Sequence, residues 1–366
     1  LKNNIQTQLN RSSKKQNMKK RNLSAKTKIH NFFIDNLKNS KIKKIFLEFN
    51  NCLENYSSSR VCIALSGGPD SMALVFLAKT YSIKKNITFF YYIVNHNLRK
   101  ESSKEANLVK KFLKKYNINC KILTWNRNQT FTNIQETARN KRYQLIFNEC
   151  KKKKINLITT AHQRDDLYEN FFIRMLRGSG LKGLSSFIKV KTKISKKENI
   201  YILRPLLNFS KKDLEYVTTK TFNFYLKDPS NNDDNFLRVK TRKLLNFLYR
   251  EGLNFNKFKM TLENLYKSNI SIEHYVTQNI KKNAKLLSSK KAYITNEDFY
   301  NNSEEVVFRS LSELIHKIGN KKNYSRGSKI SNLIKNIKSN KKLKKMTLSG
   351  CLIEKINKSI IISEEN

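Results

Sequence analysis

The sequence predicts an α/β protein with a doubly wound parallel sheet, followed by a helical linker domain and a small α+β C-terminal domain. Three observations carry that expectation. Short apolar runs rich in β-branched and aromatic residues alternate with segments of helical apolar spacing between residues 60 and 177, the pattern of a parallel sheet with crossover helices. Three of the runs end in unusual polar segments, Ser66–Ser71, Asn95–Arg99 and Ala161–Asp166, where doubly wound sheets place their ligands. The alternation then stops, and Lys/Asn-rich helical patterns lead into a mixed end.

In order, Arg60–Leu65 reads as a buried strand entering a turn at Ser66-Gly67-Gly68, and Met72–Tyr81 as a helix. Ile87–Val94 is a second strand, and 101–116 a helix with Leu108, Phe112 and Leu113 inward. Cys120–Leu123 is a strand, 133–150 a helix, Ile155–Thr160 a strand and 164–177 a helix. Ile200–Leu203 reads as an edge strand, and 210–222 and 235–250 as helices. Residues 253–300 have a helical pattern; helices at 304–318 and 328–338 precede strand-like Met346–Ile353 and Ser359–Ser363. The expected domains are a basic, disordered tail over 1–40, a catalytic domain over 41–240, a helical basic domain over 241–300 and the α+β unit over 301–366.

Composition excludes several classes. Lys and Arg number 74 against 28 Asp and Glu in 366 residues, a formal net charge of +46. Such a chain repels itself unless it meets a polyanion, although heavy use of Lys, Asn and Ile also fits compositional drift. Hydrophobic residues at 39% suffice for real cores, so full disorder is excluded. No apolar run approaches the ~20 residues of a membrane span. The cysteines, Cys52, Cys62, Cys120, Cys150 and Cys351, form no CxxC pair, which disfavours zinc knuckles and redox pairs and fits a reducing compartment. The chain begins at Leu1, and residues 1–34 hold nine basic side chains and no acid, without the apolar stretch of a secretory signal. His30, His274 and His316 have no partner motif, so no metal site is read from them.

The scarce residues are more informative. Five of nine glycines fall at 67, 68, 178, 180 and 183. Ser66-Gly67-Gly68-Pro69-Asp70-Ser71 lies between a strand and a helix. There the glycines let the backbone approach an anion, and the helix offers free N–H groups and its positive end. Ser66 and Ser71 can donate to phosphate oxygens, and Asp70 suggests a Mg²⁺ ion between carboxylate and phosphates. The plainer alternative is a strand–turn–helix corner with Asp70 as N-cap.

This segment resembles the pyrophosphate loop of ATP pyrophosphatases, with their adenine nucleotide alpha-hydrolase-like fold. Further segments narrow the resemblance to the tRNA(Ile)-lysidine synthetases. Asn95–Arg99 is similar to the family's histidine segment, and Glu136–Tyr143 to its EARxxRY helix. Thr160–Asp166, with Glu169 and Arg174–Gly180, is similar to its TAHHxDDxxET…RGSG block. Leu203–Leu207, Asp228–Asn231 with Phe236–Arg238, and Thr347–Ile353 complete the set. Departures include Asn95 for Asp, Gln163-Arg164 for His-x, and Ser349 for Gly.

The resemblance implies ATP-dependent adenylation of C2 of the wobble cytidine in the CAU anticodon of tRNA(Ile), then displacement of AMP by free L-lysine. It implies ATP and Mg²⁺ at Ser66, Gly67, Gly68, Pro69, Asp70, Ser71 and His96, with Asp70 on the metal. It implies catalytic roles for Asp70, Arg142, Asp166, Glu169 and Arg238. Substrate binding falls to His162, Asp165, Asp166 and Glu169. Asp166 and Glu169 stand at i, i+3 on one helix face, suited to a cationic amino acid. Asp165 projects about a quarter turn away and also suits a metal or a structural anchor. The alternative for all three acids is an ordinary acid-rich first helical turn. Gly178 and Gly180 shape a loop over the site or cap a helix. Tyr201, Phe222, Phe224 and Tyr225 are candidates for stacking RNA bases, and basic residues of 253–300 and the C-terminal unit for holding the tRNA stem. The resemblance allows a homodimer through 210–250. The setting is a bacterial cytoplasm or an organelle with its own genome, with no membrane association. Competing readings are a tRNA 2-thiolase, which would need cysteines near the site, small-molecule amidation, and a non-catalytic basic RNA-binding protein.

Overall fold

The computed structural model describes residues 26–365 except 57, 86, 98–100, 126–133, 194–198, 228–236, 288–291, 320, 322–323 and 340–344. The expected tail up to residue 25, the end of the Asn95–Arg99 segment and most of the Asp228–Arg238 motif therefore lie outside the described residues. The chain forms two compact units, one of Leu1–Gly178 and Phe187–Leu253, the other of Ser179–Ser186 and Asn254–Asn366.

The first unit is built on a six-stranded sheet of β1 (Arg60–Leu65), β2 (Thr88–Asn95), β3 (Cys120–Thr124), β4 (Leu157–Thr160), β5 (Lys191–Lys193) and β6 (Tyr201–Leu203). Their order is β3-β2-β1-β4-β6-β5, with every pairing parallel except β5 on β6. Ile200–Leu203 is thus not an edge: Lys191–Lys193, too short and too basic to read as a strand, covers its outer side. The chain runs outward from β1 through β2 to β3, then returns to the other side of β1 as β4. The change of direction opens a crevice at the carboxyl ends of β1 and β4.

Helices α1 (26–35) and α2 (Ser40–Glu54) precede the sheet. Phe33 of α1 is fully buried, so helix begins inside the span expected as a tail. α3 (Pro69–Lys84) is buried without a break from Ser71 to Ala78; a helix apolar all round belongs in a core. α4 (Ser102–Lys114) buries Ala106, Val109 and Leu113. Leu108, expected inward, is 51% exposed; the buried stripe runs through the small Ala106, which shifts its phase. Phe112 does pack inward, stacked at 4.1 Å on Phe224. α5 (Ile134–Lys152), α6 (Arg164–Leu176), α8 (Lys211–Lys220) and α9 (Leu237–Arg250) follow in this unit.

The second unit holds the short α7 (Leu181–Leu184), α10 (Phe255–Asn283), α11 (Glu304–Ile318) and α12 (Gly327–Lys338). Its antiparallel sheet has the order β7-β8-β11-β10-β9, from β7 (Ala284–Leu286), β8 (Ala292–Thr295), β9 (Met346–Leu348), β10 (Cys351–Ile356) and β11 (Ser359–Glu364). Residues 253–300 are therefore α-helical only to Asn283, with a single 3-10 turn at Glu297–Tyr300 after the first two strands of this sheet. The run Met346–Ile353 is two strands, joined by a Ser349-Gly350 turn. Phe299, Leu311, Leu314, Ile330, Leu333, Ile353 and Ile362 form this unit's core.

Candidate active site

The pyrophosphate-type loop sits where β1 meets α3. Gly67 has φ +83°, and a Cβ there would lie 2.9 Å from a Leu226 methyl and 3.0 Å from one of Val109, so only glycine suits the position. Leu226 N–H donates to the Gly67 carbonyl at 2.9 Å, and Thr218 Oγ1 to the Pro69 carbonyl at 2.7 Å. These bonds clamp the loop from outside. Within it, Ser71 Oγ donates to the Gly68 carbonyl at 2.9 Å and lies 3.3 Å from Ser66 Oγ. Gly68 is the N-cap of α3 and Pro69 opens the helix, so Asp70 is not a cap. Its carboxylate faces inward, with Oδ1 buried and without a hydrogen-bond partner among the described residues. Burial, then the Asp166 carboxylate, with smaller contributions from Asp165 and Glu215 against Lys211, pushes the Asp70 carboxyl up to about 7. A buried, orphaned carboxylate oxygen beside further acids is a fitting seat for a hard cation.

The acids arrive on α6, just beyond β4. Gln163 caps the helix, its Oε1 accepting from Asp165 N–H at 2.6 Å, and Asp166 Oδ2 accepts in return from Gln163 N–H at 3.0 Å. The Gln163 that departs from the family pattern thus serves as a cap. Glu169 is 3% exposed. It accepts from Arg242 Nε at 2.6 Å and from Arg238 Nε, while Arg238 also donates to Asp166. Burial lowers the Arg238 guanidinium, but Asp166 and Glu169 together hold it above its ordinary value. Asp166, Glu169 and Arg238 are brought together as expected from their motifs; Arg242, one turn beyond Arg238, is a member that sequence reasoning missed.

Asp165 points elsewhere. Its Oδ2 accepts from Lys211 N–H at 3.1 Å, at the start of α8, and its Oδ1 from the Tyr249 hydroxyl at 3.4 Å on α9. It anchors α6 to two other helices. Asp165→Ala is expected to lower stability by about 1–2 kcal/mol, read by denaturant unfolding, while shifting lysine KM far less than changes at Asp166 or Glu169.

Both histidines are held below their ordinary pKa. His96, after β2, accepts from Arg142 Nε at 3.1 Å on Nε2, which places its proton on Nδ1. Burial and Arg142 bring its pKa down to about 4. His162 is hydrogen-bonded through Nδ1 to Thr160 Oγ1 at 2.8 Å and meets the Phe187 ring edge-on at 5.2 Å. Burial, then Arg204, Arg139, Arg238 and Arg142, hold it well below its ordinary value. The charges of four arginines thus act on one imidazole at this end of β4. Arg204, in the Leu203–Leu207 segment, is buried; it donates to the Lys189 carbonyl at 3.0 Å and Thr192 Oγ1 at 2.8 Å and lies over the Phe187 ring. This fork gives the arginine of that motif its place, tying the segment after β6 to Lys189 and to β5.

Other expectations resolve differently. Phe222 is buried in the core, and Tyr201, Phe224 and Tyr225 are half-buried against it, so Phe222 presents no open face to a base. Gly178 has φ +66° just after α6 and Gly180 is the N-cap of α7, a helix end and a helix start. Cys62, Cys120, Cys150 and Cys351 are buried, and Cys52 is half-buried in packing around α2; among the described residues no three His, Cys, Asp or Glu side chains form a metal site by themselves, so a cation at Asp70 would need phosphate oxygens as further ligands. No described helix is long and apolar enough to cross a membrane.

Comparison with known proteins shows the family and the fold. Residues 39–248 match the PP-loop domain family. The chain is 34% identical over 319 residues to a tRNA(Ile)-lysidine synthase of Orientia tsutsugamushi (strain Boryong), covering 84% of this chain and 70% of that protein. It is 31% identical over 327 residues to one of Rickettsia akari (strain Hartford), covering 88% and 74%. Among solved structures, a U34-tRNA thiolase from Methanococcus maripaludis shares the fold, with a TM-score of 0.52 and 16% identity over 63% of this chain and 79% of that one. With a PP-loop domain over more than half its length and relatives of this identity and coverage, the chain belongs to the tRNA(Ile)-lysidine synthase family.

Proposed function

We propose that this protein ligates free L-lysine to C2 of the wobble cytidine of a tRNA(Ile) bearing CAU, with ATP as co-substrate, in a bacterial cytoplasm. The observation that carries the reading is that β1 and β4 are paired parallel neighbours, so the Ser66–Ser71 loop after β1 and the Asp166/Glu169 helix after β4 open at the same end of the sheet. One crevice thereby offers a phosphate loop and a carboxylate pocket.

The backbone N–H groups at the start of α3, with Ser66 and Ser71, hold the β- and γ-phosphates as a leaving group. Asp70, supported by Asp166, would hold a Mg²⁺ ion, which neutralises phosphate charge when bound. The cytidine O2 attacks the α-phosphorus; the O2–P bond forms as the bond to pyrophosphate breaks. Arg142, oriented by His96, and the arginines around His162 offset the negative charge that develops there. The lysine ε-nitrogen then attacks C2, the C2–O bond breaks, and AMP leaves with that oxygen. Asp166 or Glu169 takes the proton released from nitrogen. In the described arrangement these acids already face Arg238 and Arg242, so a cationic lysine enters by sharing the carboxylates with them. A thiolase would need cysteines at this crevice, and the five present are placed elsewhere.

The path is tested with ATP labelled at the α-phosphate. Without lysine, label is expected on the tRNA; a lysine chase is expected to release it as AMP. Label that stays on the RNA through the chase, or that never joins it while lysine is being transferred, overturns the path.

A further inference from the structure

The second unit carries an aromatic surface that this chemistry leaves unused. Tyr324 is 48% exposed, yet its ring is held. It stacks on His316 of α11 with centroids 4.0 Å apart and planes 20° apart, so an imidazole backs one face. The next residue, Ser325, is tied to Ser349 by a hydroxyl–hydroxyl bond of 2.5 Å. Ser349 and Gly350 form the two-residue turn between β9 and β10, with φ +54° and +78°, the left-handed pair that a tight hairpin demands. The turn presses on the end of α11: a Cβ on Gly319 would lie 2.1 Å from the Ser349 carbonyl oxygen. A serine in this conformation costs strain that glycine avoids, and its hydroxyl supplies the tie to the Tyr324 segment. The departure from the family's glycine at 349 thus coincides with a contact that glycine cannot make.

Cations frame the ring. Lys182 Nζ lies 5.7 Å from its centroid. Lys317, Lys321 and Arg326 are exposed on the same short stretch of chain, and the Lys321 side chain reaches the Gly350 turn. The carboxylate of Glu313 is taken up by Lys317 at 2.9 Å. A preorganised, exposed aromatic ring within a cationic frame has the chemistry of a single-stranded nucleic-acid site: bases stack on the ring and phosphates meet the lysines and arginine.

We infer that the Tyr324–His316 stack is a platform for an unpaired base of the RNA substrate, with Lys182, Lys321 and Arg326 on the flanking phosphates. This rests on the reading that the chain acts on tRNA. A base entering the platform takes the place of the Lys182 ammonium, whose flexible stem lets it turn to a phosphate.

The test is filter binding of a tRNA(Ile) transcript to the full chain across a salt series. Tyr324→Leu is expected to weaken binding about tenfold without changing the salt slope, and Tyr324→Phe to restore it to within about twofold. Lys321→Gln is expected to lower the slope by about 0.7–0.9. Tyr324 lies outside this unit's core, so the melting temperature should not move. Ser349→Gly relieves the strained turn and frees the segment; it is expected to weaken binding about threefold in a chain no less stable. If the wild-type chain binds and modifies tRNA while Tyr324→Leu binds as tightly, the platform is wrong and the proposed function stands. If Tyr324→Leu loses affinity for an acidic protein but not for tRNA, the surface serves a protein partner and the platform is also wrong. If the wild-type chain does not bind tRNA, the proposed function falls and the platform with it.

Discussion

Asp70→Asn is expected to abolish turnover, by about 10³-fold or more, while making the ligand-free protein more stable at alkaline pH. Both effects follow from a buried carboxylate with an unpartnered oxygen whose pKa is raised to about 7. Because the folded value lies above the ordinary one, the folded chain binds this proton more tightly than the unfolded chain. The resulting stabilisation is full below about pH 4, the ordinary aspartate value, and is lost as pH rises through about 7. Above that, the folded chain carries an unfavourable charge that the amide lacks. Asp70→Asn should therefore be more stable than wild type at pH 8 without divalent cations, by about 3 kcal/mol, read by thermal or denaturant unfolding. Adding Mg²⁺ and ATP should reverse the order, because only the carboxylate gains from the cation. A variant that is inactive but destabilised at pH 8 would mean that Asp70 is structural.

Glu169→Gln is expected to raise lysine KM about 10²-fold, with ATP KM changed by less than about threefold. The side chain is buried and accepts from two arginines. The amide keeps its shape but loses the charge that balances Arg238 and Arg242 and draws in a cationic amino acid. Adenylation of the tRNA without lysine should persist in this variant, which separates a lysine-pocket role from general damage. Equal losses in both half-reactions would place Glu169 in the scaffold.

The sheet and the loop were legible because each left a local mark. Parallel strands buried on both faces leave apolar runs, and the tight turn at Gly67 requires a residue that this composition makes rare. The acids of α6 stood out for the same reason, with 28 Asp and Glu in the whole chain. The arginines did not. Arg204 and Arg242 are two of 74 basic residues, and what sets them apart is the fork or carboxylate each meets, which is tertiary. β5 was illegible because three residues, two of them lysines, carry no strand signal; pairing with β6 alone makes them a strand. Leu108 was misplaced because hydropathy favoured a leucine where the buried stripe runs through an alanine. Phe222 and Phe224 were candidates for RNA platforms although such residues are more often core, whereas Tyr324 gave no sequence signal beyond being aromatic: what marks it is the His316 ring stacked on it and the Ser325–Ser349 tie beside it.

The central claim is that one crevice uses ATP to place lysine on a cytidine. It is tested most directly by mass spectrometry of the wobble nucleoside from a tRNA(Ile) with CAU, after incubation with the protein, ATP, Mg²⁺ and isotopically labelled lysine. The account predicts that the wobble nucleoside acquires the mass of a lysine conjugate carrying the isotope, in an ATP-dependent manner that Asp70→Asn eliminates. An unmodified cytidine, in a reaction where a known lysidine synthase modifies the same tRNA, would contradict it, as would a wobble nucleoside carrying sulfur in place of lysine.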